Sequence, residues 1–101
     1  MKPEEGNEEA DAVDPARLLP GENPRSRQPE DADHWLGVYT ELLQAKAAML
    51  AALNVRLVQM KEEAARQEIG GTDAPLLEQE LKRFQRRIDF WKERKAELQA
   101  G

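Results

Sequence analysis

Two stripes of apolar residues at heptad spacing flank a Gly-Gly pair, and they constrain the fold more than any other feature of this chain. The first stripe recurs at intervals of three, four and seven residues and comprises Leu43, Leu50, Leu53, Leu57, Met60 and Ala64. The second follows Gly70-Gly71 and comprises Leu77, Leu81, Phe84, Ile88, Trp91 and Leu98. Such spacing places each set on one side of an α-helix. The stripes therefore predict an all-α fold, an antiparallel two-helix hairpin of the coiled-coil type.

The ends of the two helices are predicted from proline, glycine and capping residues. A first helix is expected over residues 31–69, a loop over 70–73 and a second helix over 74–99, which together form a hairpin domain of residues 31–100. Gly70 and Gly71 can adopt the positive φ that ends a helix. Pro75 is tolerated in the first turn of the helix that follows.

Residues 1–30 are predicted to form a disordered, acidic, Pro-rich tail. Five of the six prolines fall there, and residues 1–33 carry four basic and ten acidic side chains, a net charge of −6. A segment with so few apolar residues cannot offset the entropy lost on ordering. Its apolar cluster of Val13, Leu18 and Leu19 is typical of a solvated linker, but it could also bind a partner or dock on the chain's own hairpin.

With the loop at Gly70-Gly71, one register aligns all six apolar layers, with Leu57 opposite Phe84, for example. The remaining layer places Lys46 opposite Lys95. The two ammonium groups are expected to reach out to water along their long stems. Alternatively, the layer could bind an anion with help from arginines of the second helix, and the candidate anion-binding residues are Lys46, Lys95, Arg83, Arg87 and Arg94.

This register leaves the start of the first helix beyond the reach of the second. The apolar face of the first helix is also wider than a two-stranded coil requires. The predicted partner-binding residues are Trp35, Leu36, Val38, Tyr39, Leu42 and Met49. Because a two-helix hairpin of this size is marginal on its own, we expect self-association, as a homodimeric four-helix bundle, or binding to another protein. A dimer could pair Arg56 and Arg87 of one subunit with Glu63 and Glu80 of the other.

Little in the sequence indicates catalysis. His34 is the only histidine and cysteine is absent. Any nucleophile activated by an imidazole would therefore have to be built around this one residue. Glu30 and His34 share a helix face but supply at most two metal ligands. We therefore predict no enzymatic activity, no cofactor and no metal site.

Basic residues of the second helix raise the possibility of nucleic-acid binding. Arg83, Arg87, Phe90 and Arg94 are predicted to form an exposed stripe that could contact phosphates. Interleaved carboxylates and the acidic balance of the chain disfavour this interpretation. The stripe could instead bind the acidic tail of the same chain, as a mask that an acidic partner displaces.

Gln85, Arg86, Arg87 and Asp89, about one turn of the second helix, resemble the helical hairpins of actinobacterial anti-sigma factors that bind cyclic di-GMP. Gln85 and Asp89 match that family's motif in position. At the upstream positions where the family has Glu, Ser and Arg, this chain has Ala74, Glu78 and Leu81. The resemblance implies a small transcriptional regulator that responds to a nucleotide.

The sequence therefore predicts a small non-enzymatic module for protein–protein interaction or oligomerisation. A regulator of the anti-sigma type and a weak nucleic-acid binder are the alternatives. Met1 to Glu5 are acidic where a secretory signal needs a basic flank, and the longest uncharged run in the helices is too short to cross a bilayer. We expect a cytoplasmic protein with no membrane association.

Overall fold

Two long helices packed against each other form the body of the protein. The structure is a computed structural model that describes Asp14 and residues 16–100. Helix α1 spans Pro29–Gln59 and helix α2 spans Glu63–Ala100. Ion pairs from Asp33 to Lys95 and from Lys46 to Glu80 show that the helices run antiparallel. The prediction of an all-α antiparallel hairpin is confirmed.

Helix α1 starts as its sequence predicts. Pro29 occupies the first turn, where its fixed φ suits a helix and its missing N–H costs nothing. Glu30 and Asp31 follow, and their negative charge favours the positive end of the helix dipole. The Asp31 carboxylate also accepts a hydrogen bond from the Ser26 hydroxyl at 2.5 Å. These contacts hold the chain that enters the helix.

The turn between the helices lies at residues 60–62, so the predicted loop over residues 70–73 is wrong. Met60 leaves the helical conformation with φ −70° and ψ 133°, while its N–H still bonds to the carbonyls of Arg56 and Leu57. The Arg66 guanidinium donates to the Met60 carbonyl at 2.9 Å. The chain therefore reverses over three residues, and the first of them is held by a side chain from the next helix.

Gly70 and Gly71 lie inside α2 instead of ending a helix. Among the described residues, the only positive φ belongs to Gly21, so the freedom of the Gly-Gly pair is not used. A Cβ on Gly70 would lie 3.8 Å from the Leu57 side chain, so the helices are in contact here. Pro75, also predicted in a first turn, is internal to α2 as well. Packing between the helices thus outweighs the weak helix propensity of this stretch.

Moving the turn shifts the helix register while the apolar stripes keep facing each other. Leu57, predicted opposite Phe84, lies beside Gly70, which is about two heptads earlier in the chain. The Tyr39 ring lies 6.1 Å from the Phe84 ring. A shift by whole heptads preserves the phase of a heptad repeat, which explains why the stripes remain at the interface.

The core lies at the open end of the hairpin, where the predicted overhang of α1 is wrong. Because α2 begins at Glu63, it is long enough to cover the whole of α1. Tyr39 and Trp91 are fully buried. They belong to a buried cluster composed of Ala32, Tyr39, Phe84, Ile88 and Trp91. Covering these aromatic rings removes a large apolar area from water, which favours this register over one with an overhang.

A segment before α1, residues 16–28, packs on the hairpin and is called the strap below. Its leucine Leu19 packs against the core and its Glu22 is buried. The prediction of disorder up to residue 30 is therefore wrong for residues 16–30. The rest of the predicted tail, residues 1–13 and 15, lies outside the described residues. No helix within the described part of the chain is long and apolar enough to cross a membrane.

Candidate functional site

The strap places one carboxylate, Glu22, in a site built by the hairpin. The Glu22 side chain is completely buried. Its Oε1 accepts hydrogen bonds from the Tyr39 hydroxyl at 2.5 Å and the Leu19 N–H at 2.9 Å. Its Oε2 accepts from the Arg87 guanidinium at 2.6 Å and the Trp91 indole N–H at 2.8 Å. We call Tyr39, Arg87 and Trp91 the carboxylate site.

The helices hold the three donors in place. Arg87 and Trp91 are four residues apart on α2, so their side chains lie on the same side of that helix. Tyr39 approaches from α1, with its ring against Phe84. The Arg87 guanidinium also lies 4.5 Å from the centre of the Phe90 ring, a favourable cation–π distance. The site is therefore a product of helix packing, with its donors already directed at one point.

The environment keeps Glu22 ionised and Tyr39 protonated. Burial by itself would raise the pKa of Glu22, but the hydrogen bonds from Tyr39, Leu19, Arg87 and Trp91 outweigh burial and lower this pKa below its usual value. Burial, together with the hydrogen bond to Glu22, raises the pKa of Tyr39 to about 12. At neutral pH a carboxylate therefore accepts from a neutral phenol and a guanidinium.

The strap reaches Glu22 through a tight turn and continues along α2. The Glu22 N–H bonds to the Leu19 carbonyl at 3.0 Å, and Gly21 adopts φ 84°, which glycine reaches without strain. Further on, the Arg94 guanidinium donates to the Ser26 carbonyl at 3.0 and 3.2 Å. The hairpin thus binds the strap through one carboxylate, one leucine and main-chain carbonyls.

A second feature, an apolar groove, lies between the helices towards the turn. It has a volume of about 500 Å³. Its floor and walls are mainly apolar and include Met49, Ala52, Leu53, Leu76 and Leu77, with a charged rim of Lys46, Arg56, Asp73 and Glu80. The rim is basic on α1 and acidic on α2. Nothing within the described residues fills the groove.

The structure separates the predicted partner-binding residues. Tyr39 lies in the core, and Leu36 packs against the core with Trp35 and Leu42. Val38 is half-buried. Met49 alone has a largely free side chain, 52 % exposed, on the groove. Of the predicted set, Met49 is the residue best placed to meet a partner.

The predicted anion-binding cations are not brought together. The layer of Lys46 and Lys95 is wrong, because Lys46 lies 3.2 Å from Glu80 and Lys95 lies 2.6 Å from Asp33. Glu80 and Lys95 are separated by about 22 Å along α2. The remaining candidates, Arg83, Arg87 and Arg94, lie nearer the open end of the hairpin. An anion bound by all five cations therefore has no common point to occupy.

The basic stripe of α2 is not exposed as predicted. Arg83 and Arg87 are buried, and Phe90 and Arg94 are half-buried. The strap supplies the partners of Arg87 and Arg94, so the tail of the chain does lie on this stripe. Of the residues predicted to form charge pairs in a dimer, Arg87 binds Glu22 and Glu80 binds Lys46 within one chain, whereas a pair of Arg56 with Glu63 across a dimer stays a prediction.

Sequence reasoning missed Glu22 altogether. The signals that could have found it are Leu18 and Leu19 followed by Pro-Gly, a turn signature, in front of a lone acidic residue. Gln85 and Asp89, the two positions shared with the anti-sigma hairpins, bond to each other at 3.0 Å on an exposed face.

Comparison with known proteins adds no relative. No known protein family, curated protein or solved structure matches the chain. Within the described part of the chain, no group of three or more histidine, aspartate or glutamate side chains could hold a metal ion. The two candidate sites must therefore be interpreted from their own chemistry.

Proposed function

We propose that this chain is a small non-enzymatic module that self-associates through the face containing the apolar groove. The observation that carries the proposal is the groove between the two helices, which nothing in the described residues fills. The molecule is flat, with extents of 57 × 38 × 14 Å. Stable domains usually bury their apolar faces between at least two layers. Because nothing in residues 16–100 covers the groove, we assign the second layer over it to another chain.

The shape of this face favours a second copy as that chain. Glu80, Arg83, Arg87 and Arg94 follow each other at intervals of three, four and seven residues, so the groove and the strap lie on the same side of α2. One half of the face is raised by the strap and the other half is recessed. A two-fold axis between the halves would place the strap of each copy in the groove of the other, which is an isologous contact.

Side-chain chemistry supports the same pairing. Leu18 of the strap is 40 % exposed and could insert beside Met49 of the second copy. The strap carries three exposed arginines, Arg17, Arg25 and Arg27. The opposing part of α2, residues 63–80, has one basic residue, Arg66, and five acidic ones, Glu63, Glu68, Asp73, Glu78 and Glu80. Opposite charges across the contact would set its orientation.

Sedimentation equilibrium of the full chain at about 1 to 100 µM tests the proposal. We expect the mass of a dimer for the wild type and of a monomer for Met49→Glu and for Leu18→Glu, because each places a charge in the apolar contact. The matched control is Val58→Glu, since Val58 is 84 % exposed and does not line the groove. A wild type that stays monomeric, or a Val58→Glu variant that dissociates like Met49→Glu, would reject the proposal.

A further inference from the structure

The donors that bind Glu22 belong to the hairpin, so the carboxylate site does not depend on the strap for its construction. Tyr39 comes from α1, and Arg87 and Trp91 come from α2. All three side chains donate hydrogen bonds, and none offers Glu22 a competing acceptor. Buried donors without an acceptor are costly. The hairpin therefore offers three hydrogen-bond donors to a carboxylate, and that carboxylate need not belong to its own chain.

The strap does not satisfy the site completely. Among the described residues, the Nε of Arg87 is buried without a hydrogen-bond partner, although Nη2 of the same guanidinium binds Glu22. Arginine pairs most strongly with a carboxylate when two parallel N–H groups donate. A carboxylate free to approach Arg87 through both Nε and Nη2 would gain a bond that Glu22 lacks.

The remaining contacts can be made by many peptides. Arg94 recognises the strap by the main-chain carbonyl of Ser26, which any residue carries. Besides Glu22, the side chain that packs against the core is Leu19. Recognition therefore needs a leucine, a glutamate three residues later, and a main-chain carbonyl placed by the turn that follows it. A short peptide that contains this leucine and glutamate meets these requirements.

The strap is also the part of the fold with the least to hold it. It contains neither helix nor strand, and Gln28, which precedes α1, makes no side-chain cap. Most of its residues are exposed. Segments with few buried contacts open at a lower free energy than the helices that they cover.

We propose that the carboxylate site of Tyr39, Arg87 and Trp91 is a receptor for a glutamate-containing peptide of a partner protein, and that the strap occupies it as an internal ligand. A partner peptide with Leu and Glu at this spacing displaces the strap. The proposal does not require self-association, because the site lies within one chain. Opening the strap would uncover Trp91 and the basic stripe of α2.

The test uses a fluorescent peptide with the sequence of residues 16–28 and the full chain carrying Glu22→Gln. Without its carboxylate the internal ligand competes weakly, so the labelled peptide should bind this variant at least about tenfold more tightly than the wild type. Fluorescence anisotropy gives the two dissociation constants. The NMR signal of the Trp91 indole N–H should move on binding, because the peptide supplies the acceptor that the variant has lost.

Two controls separate this binding from general attraction between charges. A peptide with glutamine at the position of Glu22 should not bind, and Glu22→Gln combined with Arg87→Met should not bind the original peptide. The proposal would be overturned if a Glu22→Gln variant that is still helical does not bind the peptide. It would also be overturned if the glutamine peptide binds with the same affinity as the original peptide. If Glu22→Gln loses its helical circular dichroism, Leu19→Ala takes its place in the titration. Unfolding of both variants would show that the strap is an inseparable part of the fold and would also overturn the proposal.

Sedimentation of the wild type tests self-association separately from peptide binding. Peptide binding is measured on a single chain, whereas the proposed function is measured by mass. A wild type that sediments as a monomer, with a Glu22→Gln variant that binds the peptide, would support the receptor and reject self-association. A wild-type dimer, with a Glu22→Gln variant that does not bind the peptide, would do the opposite.

Discussion

Glu22 is the residue on which the arrangement of this molecule most depends. It joins the strap to both helices through bonds to residues 17, 65 and 69 positions away in the chain. A buried carboxylate is stable only when its charge is paired and its oxygens are satisfied. Four donors meet that condition here. The loss of unfolding free energy on removing one donor therefore measures how much that donor stabilises the buried carboxylate.

Replacing Arg87 by methionine should destabilise the protein. The change keeps the length of the side chain but removes the cationic partner of Glu22, and loss of one member of a buried pair typically costs about 3 kcal/mol. Urea unfolding followed by circular dichroism measures the difference. Arg86→Met is the matched control, because Arg86 is exposed, and its effect should stay within about 0.5 kcal/mol. Equal losses for the two variants would contradict the role assigned to Arg87.

Stability should fall as the solution becomes acidic, with a contribution from Glu22. The folded state lowers the pKa of Glu22 below its ordinary value of 4.5. The stabilisation from this group is therefore fully present above pH 4.5 and is lost as the pH falls through the lowered pKa of the folded state. Urea unfolding across this range should give a steeper loss for the wild type than for Glu22→Gln. Parallel curves for the two proteins would show that Glu22 does not contribute.

At the scale of elements, α2 is unusual because it carries two glycines and a proline in its interior. Gly70, Gly71 and Pro75 are all poor helix formers. Helix α2 continues through them because it packs on α1 at Gly70 itself, beside Leu57, and again at the aromatic core. The tertiary contacts therefore stabilise a helix that local propensity opposes.

Replacing Gly71 by alanine should stabilise the protein by about 0.5–1 kcal/mol, because alanine loses less backbone entropy in a helix. A Cβ at this position would meet nothing within 4 Å. Thermal and urea unfolding measure the gain. Gly37→Ala serves as a reference, since Gly37 lies in α1 with equally open surroundings. A loss of stability at Gly71 beside a gain at Gly37 would indicate a turn at this site.

At the scale of the whole molecule, the two halves of the hairpin differ in how far their apolar surfaces are covered. The open end has an aromatic core covered by the strap, whereas in the half near the turn no described residue covers Met49 and its groove. An uncovered apolar surface beside a complementary raised segment is the basis of the proposed dimer. Charge on the two surfaces makes that dimer sensitive to salt.

Dimerisation should weaken as salt is raised, and it should raise the melting temperature at higher protein concentration. The strap arginines and the acidic part of α2 attract each other less when the Debye length falls to about 3 Å in 1 M salt. Mass action couples the melting temperature to concentration when only the folded chain associates. Sedimentation equilibrium at low and high salt and melting curves at several concentrations provide the measurements. A melting temperature independent of concentration, with an unchanged mass, would contradict the prediction.

The extent to which the fold could be predicted differs between the stripes and the turn. The heptad positions of Leu53, Leu57 and Phe84 predict helices and the face that each helix buries. They do not determine which layer meets which, because sliding one helix by two heptads aligns the same stripes again. Gly70-Gly71 was the local signal for the turn, and it is misleading because packing of the aromatic residues outweighs it.

The sequence by itself determined that this chain forms an antiparallel helical hairpin, since periodic apolar spacing is a local property of each helix. Only the tertiary structure decided the register and the position of the strap. Burial of Tyr39 against α2 chooses one of several equivalent alignments, and Glu22 meets Arg87 across 65 residues of chain. The register and the strap position both depend on the free energy of contacts between residues that are distant in the chain, and a local sequence pattern does not reveal that free energy.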